Sequence, residues 1–93
     1  MTEEKIFLWE NDNGIHARPA GIIANEASKF KSDIRMNLGD QSADAKGVFS
    51  LMGLGVKKGD KITLIAHGED EKEAISHMAE FLYENSLASE LQD

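Results

Sequence analysis

Asp33-Ile34-Arg35-Met36-Asn37-Leu38 alternates polar and apolar residues, Gly39-Asp40 turns the chain, and Gln41-Ser42-Ala43-Asp44-Ala45 runs on as a shorter stretch. A period of two sets Ile34, Met36 and Leu38 on one face, so the segment reads as an antiparallel hairpin with one buried side. Such a sheet needs a second layer to cover it, and the flanking sequence supplies helices. From Ala17 the apolar residues Ala20, Ile23, Ala24, Ala27 and Phe30 recur at helical spacing, predicting a helix with Lys29 and Lys31 at its end, where positive charge suits the dipole.

Further out, Lys5 to Glu10 holds the dense run Ile6-Phe7-Leu8-Trp9, closed by the turn signal Asn11-Asp12-Asn13-Gly14, and predicts a strand. Gly47 to Met52 has room for only a short helix before Gly53 and Gly55 interrupt it. Val48, Phe49, Leu51 and Met52 are spread around less than two turns there, so some of them must point away from the core. Lys58-Gly59-Asp60 forms a turn, and Lys61 to Ala66 alternates again as a last strand. A final helix over Glu71 to Tyr83 carries Ile75, Met78, Ala79 and Leu82 at core spacing, and the polar stretch Glu84 to Asp93 is expected to fray. The predicted order is βαββαβα, an α+β layer pair with helices on one face of a mostly antiparallel sheet.

At 93 residues the chain suits one domain spanning 1–93, with a core over about 4–84 and a polar tail over about 85–93. No repeat, linker or low-complexity segment divides it. No apolar run reaches the ~18 residues of a membrane span, and Met1-Thr2-Glu3-Glu4-Lys5 is too polar for a secretory signal, so a cytoplasmic protein without direct membrane insertion is expected. The absence of cysteine excludes disulfides, thiol chemistry and cysteine-based zinc sites. A net charge of −7 argues against nucleic acid as a partner. Much of the acid clusters at Glu69, Asp70, Glu71 and Glu73, where it reads as dipole and capping complementarity at a helix start.

The chemistry concentrates in Asn13-Gly14-Ile15-His16-Ala17-Arg18-Pro19-Ala20. Gly14 supplies a turn, and Pro19 falls in a first helical turn, where its missing N–H leaves no bond unmade. The amides of His16, Ala17 and Arg18 then point outward at the positive end of a helix dipole, and Arg18 adds a permanent planar charge suited to phosphate oxygens. An ordinary helix start with a solvated histidine is the plainer reading of His16 alone. The combination favours a phosphoryl acceptor. A free imidazole, with a pKa of ~6.5, is largely neutral at cytoplasmic pH and attacks without a separate base. No Ser-His-acid spacing offers a competing nucleophile.

These residues resemble the HPr family of histidine-containing phosphocarriers of the bacterial phosphoenolpyruvate-dependent sugar phosphotransferase system. Ser42-Ala43-Asp44-Ala45-Lys46, Leu54-Gly55 and Gly68-Glu69-Asp70-Glu71 fall in the same register, and only the stretch after about Asn85 extends past the usual family end. The resemblance implies an open-faced β-sandwich, a four-stranded antiparallel sheet with three helices on one face. It also implies a stoichiometric carrier rather than an enzyme. Enzyme I would pass a phosphoryl group, originating from phosphoenolpyruvate, to Nδ1 of His16, and His16 would hand it to an enzyme IIA, with Arg18 neutralising and orienting it. No cofactor or metal is implied, and the carrier is expected to be monomeric.

Ala17, Val48, Phe49 and Met52 match the family's docking surface for both partners. Core packing and docking both stay open for Val48 and Met52, whereas Phe49 lies opposite Leu51 and Met52 and favours docking. One departure stands out. Gly47 occupies the position where many members from low-GC Gram-positive bacteria carry a regulatory serine, and Ser50, three residues displaced, is no obvious substitute. His67 and His77 lack metal-ligand spacing and read as surface histidines, and glycines 53, 55 and 59 form no nucleotide loop. A paralogue in a nitrogen-related regulatory branch is the nearest alternative. A non-phosphorylatable interaction module, from a different class, is disfavoured by the presence of both His16 and Arg18.

Overall fold

Ile34 and Met36 are fully buried while Asp33 is exposed and Arg35 half-buried, the one-sided pattern that their alternation requires. They lie in a computed structural model that describes residues 2–91. Along the chain follow β1 (Thr2–Trp9), α1 (Ala17–Ala27), β2 (Asp33–Leu38), β3 (Gln41–Asp44), α2 (Val48–Met52), β4 (Lys61–His67), α3 (Glu71–Glu84) and β5 (Ala88–Glu90). The strands make one sheet in the order β3-β2-β4-β1-β5, antiparallel at every pairing. The result is an α+β open-faced sandwich.

Phe7, Trp9, Ile34, Met36, Ile62 and Leu64 line the inner face of the sheet. Against them α1 lays Ala20, Ile23, Ala24 and Ala27, and α3 lays Ala74, Ile75, Met78 and Leu82, in one continuous core. Burying each Leu or Ile contributes roughly 1.5–3 kcal/mol. The ion pair Lys29–Glu26 at 2.9 Å joins residues three apart at the end of α1 and spans no layer, so the apolar contacts hold the helices to the sheet.

The sheet has five strands rather than the expected four, and residues 86–90, part of the expected polar tail, are ordered into it rather than frayed. Ser86, at φ +58, turns the chain after α3, Leu87 donates its N–H to Leu82 O at 3.0 Å, and Leu87 and Ala88 are buried. β5 then pairs Trp9 with Ala88, Leu8 with Ser89 and Phe7 with Glu90. Leu87, Ala88 and Leu91, scattered through a polar stretch, are too short a pattern to announce a strand. Gln92 and Asp93, the end of the expected tail, lie outside the described residues. α1 also stops earlier than predicted, at Ala27. There the Ser28 hydroxyl donates to Ala24 O at 2.7 Å, and Phe30 N bonds to Ala27 O, one residue short of helical reach.

Asp70 behaves differently from a helix cap. It occupies the N-cap position of α3 without capping it, and its carboxylate instead accepts from Lys31 N and Ser32 N, both at 2.9 Å, and from the Ser32 hydroxyl. This ties the start of α3 to the chain entering β2. The Ser32 hydroxyl, followed by the Lys31 amide, holds the Asp70 carboxyl down to about 2 from an ordinary 3.8. Since the folded pKa is the lower one, the stabilisation is complete above the unfolded pKa of about 4 and disappears as pH falls towards 2. Thermal unfolding from pH 5 to pH 2.5 should therefore show Asp70→Asn less stable at pH 5 but with a shallower acid decline. Parallel declines in the two proteins would refute the assignment.

Candidate functional site

The segment from Trp9 to His16 is laced to the loop that precedes β4. Trp9 N donates to Asp60 O at 2.9 Å, Gly59 N donates to Trp9 O at 2.8 Å, and Asp12 pairs with Lys58 at 2.9 Å. The Asp12 carboxylate pushes the Lys58 ammonium pKa up, as expected for a surface pair. Gly14 sits at φ +68 with its α-carbon so close to the neighbouring loop that a β-carbon would lie 2.1 Å from Val56 O. No other residue type fits that approach, because the obstacle is backbone. Ile15, next in line, is buried and pins the segment to the core.

His16 follows as the N-cap of α1, with extended backbone at φ −107 and ψ −171. Its carbonyl accepts from Ala20 N at 3.0 Å, whereas its ring makes no capping bond and is exposed. The imidazole is thus committed to nothing in the fold. Ala17 and Arg18, also exposed, open the helix, and first-turn amides have no carbonyl one turn back to bond. Pro19 occupies the third helical position, consistent with its lack of an N–H, and is buried together with Ala20. The anion-binding end of α1 therefore carries a free ring, outward amides and a guanidinium, which together suit a transferable phosphoryl group.

α2 packs beside α1. Its register is set from below: Lys46 Nζ donates to Phe30 O at 2.8 Å, Lys46 N to Asp44 Oδ1 at 3.0 Å, and Asp44 N to Ser50 Oγ at 3.0 Å. Leu51 alone of α2 is fully buried. Phe49 is 86% exposed, Met52 is 37% exposed, and Val48 is half-buried against the core. Of the candidate contact residues, Phe49, Met52 and Ala17 thus face outward, whereas Val48 is shared with the core.

Matching against family models gives the description "PTS HPr component phosphorylation site" over residues 4–84. The chain is 46% identical over 70 residues to the phosphocarrier protein HPr of Buchnera aphidicola subsp. Baizongia pistaciae, covering 75% of this chain and 82% of that one. That decides the family. The chain belongs to the HPr family of phosphotransferase-system phosphocarriers. It is also 41% identical over 84 residues to the HPr-like protein Crh of Bacillus subtilis, covering 90% of this chain and 98% of Crh. A solved histidine-containing phosphocarrier protein of Mycoplasma superposes with a TM-score of 0.90 at 30% identity, over 94% of this chain and 99% of the other.

An HPr-family protein is a phosphohistidine carrier and not an enzyme. The other histidines are placed accordingly. His77, on α3, bonds to Glu26 and lies 5.3 Å from the Phe30 ring, joining α1 to α3, and it holds the Glu26 carboxyl pKa below its ordinary value, with Lys29 contributing less. His67 is exposed at the end of β4. Among the described residues no three His, Asp or Glu side chains gather into a metal-binding group, and no helix is long and apolar enough to cross a membrane. The sequence reading missed the supports of the HPr site. Val56 O and Phe30 O are backbone atoms brought close only by tertiary structure, and Ser50, weighed only as a phosphorylation site, holds the chain leading into α2. The family block containing Lys46 was the one visible sign of them.

Proposed function

We propose that His16 accepts a phosphoryl group on Nδ1 from phospho-enzyme I, charged by phosphoenolpyruvate, and passes it to an enzyme IIA for sugar uptake. The exposed ring of His16 at the start of α1, unused in capping, carries this reading. In the transfer the imidazole lone pair forms an N–P bond while the donor's N–P bond breaks, and the attacking nitrogen has no proton to shed. Arg18 and the first-turn amides neutralise charge on the phosphoryl oxygens as it moves. Solvent exposure keeps these bonds from making a deep well, as a carrier that must release its group requires. The protein acts in the cytoplasm as a monomeric single domain, and with Gly47 at the α2 N-cap, control by a phosphoserine at that position is closed to it.

Incubation with phosphoenolpyruvate and a sugar-branch enzyme I, followed by intact-mass analysis before and after acid treatment, tests the reading. One acid-labile phosphate supports it, and no transfer from either a sugar-branch or a nitrogen-branch enzyme I refutes it. Transfer from the nitrogen-branch donor alone would favour the regulatory paralogue.

Arg18→Ala should slow phosphorylation by about ten-fold or more while leaving the unfolding midpoint in place, because its guanidinium is exposed and serves charge rather than packing. Stopped-flow transfer rates beside thermal melts would separate the two effects. Phe49 and Met52, with Ala17, form the surface on which both partners dock in turn. Phe49→Ala should raise KM for the protein as a substrate of enzyme I by about ten-fold, equivalent to ~1.4 kcal/mol, with stability unchanged to about 0.5 kcal/mol. A steady-state titration that leaves KM unmoved would remove Phe49 from the interface.

A further inference from the structure

Sulfur in this chain is distributed unevenly between core and surface. There is no cysteine, and Met36, paired with Ala43 and Leu64 in the middle of the sheet, is fully buried, as is Met78 on α3. Met52, the last residue of α2, is 37% exposed, although its neighbour Leu51 is fully buried. Among the described residues it is the one sulfur side chain that a dissolved oxidant can reach. The bonds from Lys46, Asp44 and Ser50 that fix α2 do not involve the Met52 thioether, so a change at its sulfur leaves the position of the helix intact.

We propose that Met52 is a site of reversible oxidation by peroxides, and that its sulfoxide weakens the docking of enzyme I and enzyme IIA while sparing the fold. This rests on the docking role proposed for Phe49, Met52 and Ala17. In the reaction a sulfur lone pair attacks one oxygen of hydrogen peroxide and the O–O bond breaks. The departing hydroxide takes the proton left on the transferred oxygen, so the products are the sulfoxide and water, with sulfur oxidised and the peroxide reduced. A thioether is flexible, polarisable and apolar, which suits a surface that must fit two partners in turn. The sulfoxide is polar, and against an apolar partner surface its oxygen loses water without gaining a donor. His16 is untouched by this change. Oxidation therefore acts on the encounter with the partner and leaves the transfer step as it was.

Titration of the full chain with hydrogen peroxide, with peptide mapping by mass, tests the site. Met52 should gain one oxygen at least about ten-fold faster than Met36 or Met78. Met1 lies outside the described residues, and mapping separates its peptide from that of Met52. After removal of peroxide, the oxidised protein should show its KM for enzyme I raised by about five-fold or more, with kcat and the unfolding midpoint unchanged. Methionine sulfoxide reductase with a dithiol should return KM to its starting value. In Met52→Leu, peroxide treatment should leave KM at that variant's own untreated value. Oxidation of Met36 or Met78 as fast as Met52 overturns the proposal, as does an unmoved KM in protein mapped as oxidised at Met52, or a KM raised by peroxide in Met52→Leu. Phe49→Ala without peroxide judges the docking surface separately. If that variant raises KM and the sulfoxide does not, the oxidation proposal fails alone, and if neither raises it, the docking surface fails as well.

Discussion

His16→Ala is expected to abolish phosphorylation outright while unfolding at nearly the same temperature as the parent protein. The two halves of this expectation come from one observation, that the ring is exposed and makes no capping bond. A group that touches nothing in the fold costs little to remove, within about 0.5 kcal/mol. The same group is the only nucleophile set among first-turn amides beside a guanidinium, so its loss leaves the phosphoryl group nowhere to go. Intact-mass analysis after incubation with phosphoenolpyruvate and enzyme I should show one acid-labile phosphate on the parent and none on the variant. Undiminished phosphate on the variant would place the acceptor at His67 or His77, and a variant that unfolds would make His16 a structural residue.

Gly14→Ala should instead damage both fold and transfer. Its β-carbon would lie 2.1 Å from Val56 O and 3.2 Å from the Val56 carbonyl carbon, at φ +68. The left-handed backbone alone costs about 1 kcal/mol for alanine. Forcing two backbones apart brings the total to on the order of 3 kcal/mol. Because Gly14 lies two residues before His16, the displaced loop carries the proposed acceptor with it, and a shift of about 1 Å at a reacting group can cost on the order of a hundred-fold in rate. Gly39→Ala is the matched control, with φ +58 and nothing within 4 Å of the added carbon. It should show the conformational cost alone and full transfer activity. If chemical denaturation gives the two variants equal losses, the close approach at Val56 has no energetic weight.

The contrast between these residues also measures how far the sequence could be read. His16, Arg18 and Pro19 announce themselves because a helix start obeys local rules, and the hairpin over β2 and β3 announces itself through period two. Phe49 was legible because a helix as short as α2 cannot bury residues on every side. Where partners are distant in the chain, the sequence is silent. Gly14 reads as a turn glycine, and only the structure reveals the carbonyl it must clear. Asp70 reads as a helix cap, but its carboxylate crosses to Ser32, 38 residues away. β5 escaped notice since three residues with one alternation carry no pattern, and the burial that makes them a strand is provided by Trp9 and α3.

The sheet order also fixes when the protein can complete itself during synthesis. β1 is made early, yet both of its neighbours, β4 at Lys61–His67 and β5 at Ala88–Glu90, come from beyond residue 60. While the ribosome is still at work the nascent chain can close the β2–β3 hairpin and begin α1, but Phe7 and Trp9 stay uncovered until β4 and α3 have emerged. The loop bearing His16 is held by Gly59, Asp60 and Val56, so it too takes its final shape late. An unfinished chain thus has His16, the proposed acceptor, but not the frame that presents it, and on that proposal competence for phosphoryl transfer arrives with the completed sheet.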